Sequence, residues 1–110
     1  MVLVFLLALV GCWQVDAVNK INGEFVSPDG KKKVVVFSRA VDATTGVNTQ
    51  ASVLEADEKL SNEPGNAFII DNGSADVFWR GDDSVLIVLD SHARVFKKET
   101  FIRGVTVEYR

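Results

Sequence analysis

Cysteine and histidine are almost absent from this chain of 110 residues, which has one of each, Cys12 and His92. A single cysteine excludes a disulfide within the chain and any metal site built from several cysteines. A zinc site made from this pair would need several carboxylates to complete its ligand shell. We therefore expect no metal and no other cofactor.

Basic charge is scarce as well. The formal net charge is −3, and residues 42–83 carry nine acidic side chains against two basic ones. A nucleic-acid interface needs a basic stripe or patch. The one basic run, at residues 31–33, consists of three lysines beside a turn. We expect no nucleic-acid partner.

The N-terminal apolar run, residues 2–10 (VLVFLLALV), is short. As a helix it would rise about 14 Å, roughly half of a bilayer core, so it is too short to span a membrane. Its length suits the apolar region of a secretory signal. Two other interpretations stay open: an ordinary signal or uncleaved anchor, and a buried N-terminal strand, since VLVF has high β-propensity.

A small residue and the lone cysteine follow this run. The sequence Leu9-Val10-Gly11-Cys12 resembles the lipobox of bacterial lipoproteins. The resemblance implies cleavage before Cys12, acylation of its thiol, and anchoring in a membrane by several acyl chains, which together hold durably. It also implies a location in the bacterial cell envelope, membrane-anchored and extracytoplasmic, on the periplasmic or surface face. We divide the chain into a lipoprotein signal segment (1–11), a tether (12–20) and a β domain (21–110).

Helical periodicity is missing from the β domain, apart from a single helical turn that residues 54–60 could form. Tight turns are predicted at residues 27–30 (SPDG), at Asn72-Gly73 as a hairpin, and at residues 81–83 (GDD). Residues 56–66 are expected to form a solvated acidic loop. This spacing predicts an all-β fold, a single small antiparallel β-sandwich or open barrel of about six to eight strands. The strand candidates are residues 21–27, 33–41, 49–55, 67–71, 76–80, 84–90, 94–97 and 105–110.

Three segments together carry a second resemblance: SPDGK at 27–31, ATTGVNTQ at 43–50 and the acidic loop ending in GN at 65–66. They resemble a family of small bacterial lipoproteins and envelope proteins whose pattern is an SPDGK hairpin followed by an ATTGxxTQ segment. The resemblance covers roughly residues 25–110. The family has no assigned activity, so it implies a compartment and a fold class and no mechanism.

The candidate binding loop consists of Arg39, Thr44, Thr45, Asn48 and Gln50. Hydroxyls and amides beside a glycine suit a polar recognition surface, because loops on a rigid scaffold often bind partners. The same side chains could instead cap their own backbone.

A catalytic constellation is not evident. Ser91 and His92 are sequence neighbours, and on a strand they would face opposite sides and not pair. An enzyme would need Arg39, Asp82, Asp83, Glu108 and His92 to converge in a cleft.

The preferred interpretation is therefore not an enzyme. It is a lipid-anchored extracytoplasmic binding module, such as an inhibitor, an immunity-type protein or an accessory envelope protein. Its partners would be the membrane, through the lipid on Cys12, and a protein. The alternatives are a structural envelope component with no discrete site and a hydrolase-type enzyme.

Overall fold

The computed structural model describes residues 18–40 and 46–110, and the regular structure of these residues is entirely β. The all-β prediction is confirmed. The nine strands of the described residues are β1 (Val18–Val26), β2 (Lys32–Ala40), β3 (Val47–Glu55), β4 (Phe68–Asp71), β5 (Ala75–Gly81), β6 (Ser84–Leu89), β7 (Arg94–Lys98), β8 (Phe101–Ile102) and β9 (Val105–Tyr109). Eight match strand candidates, and the ninth, β8, has only two residues.

The strands form two sheets that pack as a small β-sandwich. A five-stranded sheet has the order β1-β2-β3-β4-β7, and a four-stranded sheet has the order β5-β6-β9-β8. Pairing is antiparallel except between β6 and β9, which run parallel. Parallel strands need a long connection, and here the chain crosses to the other sheet as β7 and returns as β8 before β9.

The core lies between the sheets and follows from two-residue alternation along the strands. Trp79 Nε1 donates a hydrogen bond to the carbonyl of Phe25 at 2.8 Å on the side where β5 approaches β1. The Tyr109 hydroxyl donates to the carbonyl of Glu99 at 2.7 Å, and burial raises the pKa of that hydroxyl above its ordinary value. The buried apolar residues of this core are Val34, Val36, Ala51, Val53, Ala67, Phe68, Ile70, Val77, Val85, Ile87, Val105 and Val107.

The SPDG turn joins β1 and β2 as a hairpin, as predicted. Gly30 has a φ of 76°, a conformation that glycine adopts without steric cost. The Ser27 hydroxyl donates to Asp29 Oδ1 at 2.6 Å, and the same carboxylate accepts from the Lys31 amide at 3.1 Å. These hydrogen bonds lower the pKa of Asp29. The GDD turn likewise closes a hairpin between β5 and β6, with Gly81 opposite Ser84.

The Asn72-Gly73 pair does not close a hairpin, so that prediction was wrong. It links β4 in the five-stranded sheet to β5 in the four-stranded sheet. Asn72 takes a φ of 63°, which suits asparagine. A side chain on Gly73 would place its Cβ 2.7 Å from the Cβ of Asp90. The pair therefore forms the short connection by which the chain passes from the five-stranded sheet to the four-stranded sheet.

Residues 56–67 connect β3 to β4 and contain no helix. Where a single helical turn was considered, at residues 54–60, the chain makes one hydrogen-bonded turn, in which the Glu58 amide donates to the Glu55 carbonyl at 3.0 Å. Part of this connection is packed rather than solvated. Leu60 contacts a second, smaller apolar cluster, made of Val35, Phe37 and Leu54, on the outer face of the five-stranded sheet. This cover explains why β2 is buried on both faces.

The start of the β domain differs from the prediction by three residues, because β1 begins at Val18 inside the segment assigned to the tether. The predicted signal segment, Cys12 and the rest of the tether lie outside the described residues. Among the described residues, no helix has the length and apolar character needed to cross a bilayer.

Candidate functional site

The predicted binding residues that the structure describes lie on the outer face of the five-stranded sheet. Arg39 is on β2, and Asn48 and Gln50 are on β3. Arg39 pairs in register with Asn19 on one side and with Asn48 on the other, so the three form one polar row across three strands. Thr44 and Thr45 lie outside the described residues.

Arg39 links this row to the connection between β3 and β4. Its Nη1 donates to Asn19 Oδ1 at 2.8 Å and to Asn62 Oδ1 at 3.2 Å. Asn19 Nδ2 in turn donates to the carbonyls of Ser61 and Glu63, at 3.0 and 2.9 Å. Sequence reasoning did not identify Asn19 or Asn62, because their contacts span 20 or more positions of the chain.

Gln50 lies beneath this connection, with 3% of its surface exposed. Its Oε1 accepts from the Gly65 amide at 2.7 Å, and its Nε2 donates to Asn48 Oδ1 at 3.0 Å. A buried backbone donor needs such a partner. The contacts of Gln50 are therefore internal, and Arg39 and Asn48 lie closer to solvent.

Two further contacts fix the same connection. Asn66 pairs with β3 through its side chain, since Oδ1 accepts from the Val53 amide at 2.7 Å and Nδ2 donates to the Val53 carbonyl at 3.0 Å. Gly65 packs directly on β3, because a Cβ there would lie 2.5 Å from the Ala51 carbonyl oxygen. The connection is thus held along its length. We call residues 60–66 the strap.

A shallow groove runs between the strap and β1, with a volume of about 190 Å³. Ligand pockets for drug-sized molecules measure about 300–1,000 Å³, so this groove suits a side chain or a few waters. Its lining residues are Val18, Asn19, Ile21, Leu60, Ser61 and Asn62.

A wider and open cleft of about 630 Å³ lies at the opposite end of the five-stranded sheet. Its lining contains two lysines and two acidic residues, Lys31, Lys32, Glu55 and Asp57. Lys32 and Glu55 form an ion pair, with their charged groups 3.0 Å apart. Nearby, Glu58 accepts from the Glu55 amide and from Arg103 at 2.7 Å, and both contacts lower the pKa of Glu58. The positive and negative side chains of the cleft are equal in number, as on an ordinary solvated surface. The described residues that line the cleft therefore have no excess of one charge that would attract a ligand of the opposite charge.

The residues that the enzyme hypothesis required do not come together. Arg39 is on the outer face of the five-stranded sheet, Asp82 and Asp83 form the β5–β6 turn, and Glu108 is on β9. His92 lies in the turn before β7, with 86% of its side chain exposed.

The expectation that Ser91 and His92 do not pair was wrong, because they lie in a turn and not on a strand. Ser91 Oγ is 3.3 Å from His92 Nδ1, and Asp90 Oδ1 is 3.4 Å from the same nitrogen. A hydrolase triad places its serine and its acid on different nitrogens of the histidine. This exposed cluster does not have that arrangement.

The part of the chain that the structure describes contains no group of three or more histidine, cysteine or acidic side chains placed to hold a metal. No family model matches the sequence, and no curated protein and no solved structure matches it either. The geometry of the site is that of an open polar surface built on a fixed strap.

Proposed function

We propose that this protein is a lipid-anchored, extracytoplasmic binding module that recognises a protein partner through the strap and the polar row beside it. The anchor follows from the lipobox resemblance at Leu9-Val10-Gly11-Cys12. The observation that carries the binding role is the fixing of the strap, in which Gln50, Asn66 and Gly65 join it to β3.

A fixed strap favours surface recognition because little conformational entropy is lost when a partner binds a preorganised segment. Ser61 and Asn62 are exposed at its start, next to Arg39 and Asn48. Amides, hydroxyls and a guanidinium provide both donors and acceptors for hydrogen bonds with a protein surface. The groove beside them is large enough for one side chain of a partner.

Site-specific photo-cross-linking in the producing bacterium tests this function. A photoreactive amino acid at position 62 would lie on the proposed surface, and one at position 106, on an exposed residue of β9, provides the matched control. We expect irradiation to give a discrete higher-mass adduct from position 62 and none from position 106. The absence of an adduct from position 62, and also from a third position, 48, would contradict the binding role and favour a structural envelope component.

A further inference from the structure

The end of the five-stranded sheet where β1 begins carries a row of three apolar residues, of which the outer two are exposed and the middle one is half-buried. Val18, Ala40 and Val47 are in register across β1, β2 and β3. Val18 is 66% exposed and Val47 is 58% exposed. They share a face with core residues such as Val36, yet lie beyond the part of that face that the four-stranded sheet covers. We call Val18, Ala40 and Val47 the end row.

The chain leaves the sheet at this same end. Six residue steps separate Cys12 from Val18, and a chain of that length spans at most about 22 Å in any conformation. A lipid attached to Cys12 therefore keeps Val18, the first residue of the end row, within about 22 Å of the membrane surface. The other end of β1, at Val26, lies about 27 Å from Val18 along the strand, since the eight steps between them rise about 3.4 Å each.

We propose that the end row is a lipid-contacting surface that lies against the headgroup region of the anchoring membrane and orients the domain on it. This inference rests on the proposed anchor. Apolar side chains exposed at one site mark contact surfaces, and burial in the interface removes them from water. Lys20, exposed and two positions beyond Val18 on the same face, suits lipid phosphate, because its apolar stem can lie along the surface with the ammonium among the headgroups.

This orientation agrees with the proposed binding role. The strap crosses the outer face of the sheet, so it faces sideways when the end row contacts the membrane. The turn at residues 27–31 then lies farthest from the bilayer, and Lys31 is exposed there. Lys20 and Lys31 thus lie toward opposite ends of one hairpin, and the accessibility of their amines shows which end faces the membrane.

Amine labelling of the acylated chain in vesicles of phosphatidylethanolamine and phosphatidylglycerol tests the orientation. A water-soluble acetylating reagent is applied, and mass spectrometry gives the ratio of Lys20 to Lys31 modification. The test variants are Val47→Asp and Val18→Asp. The control is Val26→Asp, which changes a valine of similar exposure, 53%, at the opposite end of β1. Circular dichroism establishes that each variant is folded.

We expect Lys20 to be modified several-fold less than Lys31 in the unaltered chain and in the Val26 variant, with the protection lost in both test variants. If the ratio of Lys20 to Lys31 modification is the same in the unaltered chain and in all three variants, the lipid contact is overturned while the anchor stays intact. Protection of Lys20 that disappears when the ratio of protein to lipid is lowered would also overturn the lipid contact. That result indicates that a second copy of the chain, and not lipid, covers the end row.

The anchor itself is tested separately by the mass of the N-terminal peptide. If Cys12 proves to be a free thiol, the anchor fails, and the thiol is coupled to maleimide lipid in the same vesicles. Lys20 protection in the coupled protein would still support the end row as a lipid surface. Its absence there would refute the end row independently of the anchor.

Discussion

Replacement of Gln50 by alanine removes the central hydrogen bonds of the strap. Gln50 is 3% exposed, and its side chain accepts from the Gly65 amide at 2.7 Å and donates to Asn48 at 3.0 Å. Alanine cannot replace either contact. It leaves the Gly65 amide buried without its partner.

The expected loss of stability follows from the Gly65 amide, which is left buried without a hydrogen-bond acceptor. An unsatisfied buried polar group costs about 1–3 kcal/mol, and the loss of buried side-chain methylenes adds about 1 kcal/mol. We expect Gln50→Ala to lower the free energy of unfolding by about 2–4 kcal/mol, a large fraction of the roughly 5–15 kcal/mol typical of a domain. Urea unfolding followed by tryptophan fluorescence measures this loss, and hydrogen exchange at the Gly65 amide shows whether it is centred on the strap.

Asn62→Ala is the matched control. Asn62 is exposed and accepts one hydrogen bond, from Arg39 at 3.2 Å, so its removal should change stability by less than about 0.5 kcal/mol. If Gln50→Ala and Asn62→Ala have the same small effect, or if exchange at Gly65 is unchanged, then Gln50 does not hold the strap.

Two further predictions concern the strap and the first hairpin. Gly65→Ala should destabilise the fold by about 2 kcal/mol or more in the same urea assay, because the new Cβ would lie 2.5 Å from the Ala51 carbonyl oxygen; an unchanged midpoint would refute the close approach. The pKa of Asp29 is held below its ordinary 3.8 by hydrogen bonds from Ser27 and the Lys31 amide, so its contribution to stability is present above that value and is lost as pH falls through the lower folded pKa. The Asp29→Asn variant should therefore lose less of its free energy of unfolding than the unaltered protein when the pH is lowered below about 4. The same pH dependence in both proteins would contradict a stabilising role for the Asp29 carboxylate.

The local features of the fold could be predicted from the sequence. Pro28, Asp29 and Gly30 determine their turn through their own backbone preferences and side-chain hydrogen bonds, and the structure has that hairpin. The strand predicted at residues 33–41 is present as β2, and its apolar run is buried on both faces, as is typical of such a run inside a sheet. Such signals are contained in a few neighbouring residues, so one sequence is sufficient to find them.

The features that depend on distant contacts could not be predicted. Asn72-Gly73 has the composition of a hairpin turn, but the flanking strands belong to different sheets, and strand partners are decided by burial across the whole domain. The role of Gln50 depends on a loop that returns 15 positions later. Leu60, an apolar residue in an otherwise polar segment, was the one signal that this loop packs on the sheet.

The attachment of lipid to Cys12 is the most consequential claim, because both the proposed compartment and the orientation of the domain depend on it. The direct test is the intact mass of the full chain after expression in a bacterium, together with the mass of its N-terminal peptide. We predict a mature protein that begins at Cys12 and carries acyl chains on that residue. A protein that retains Met1 and has a free thiol at Cys12 would contradict the account.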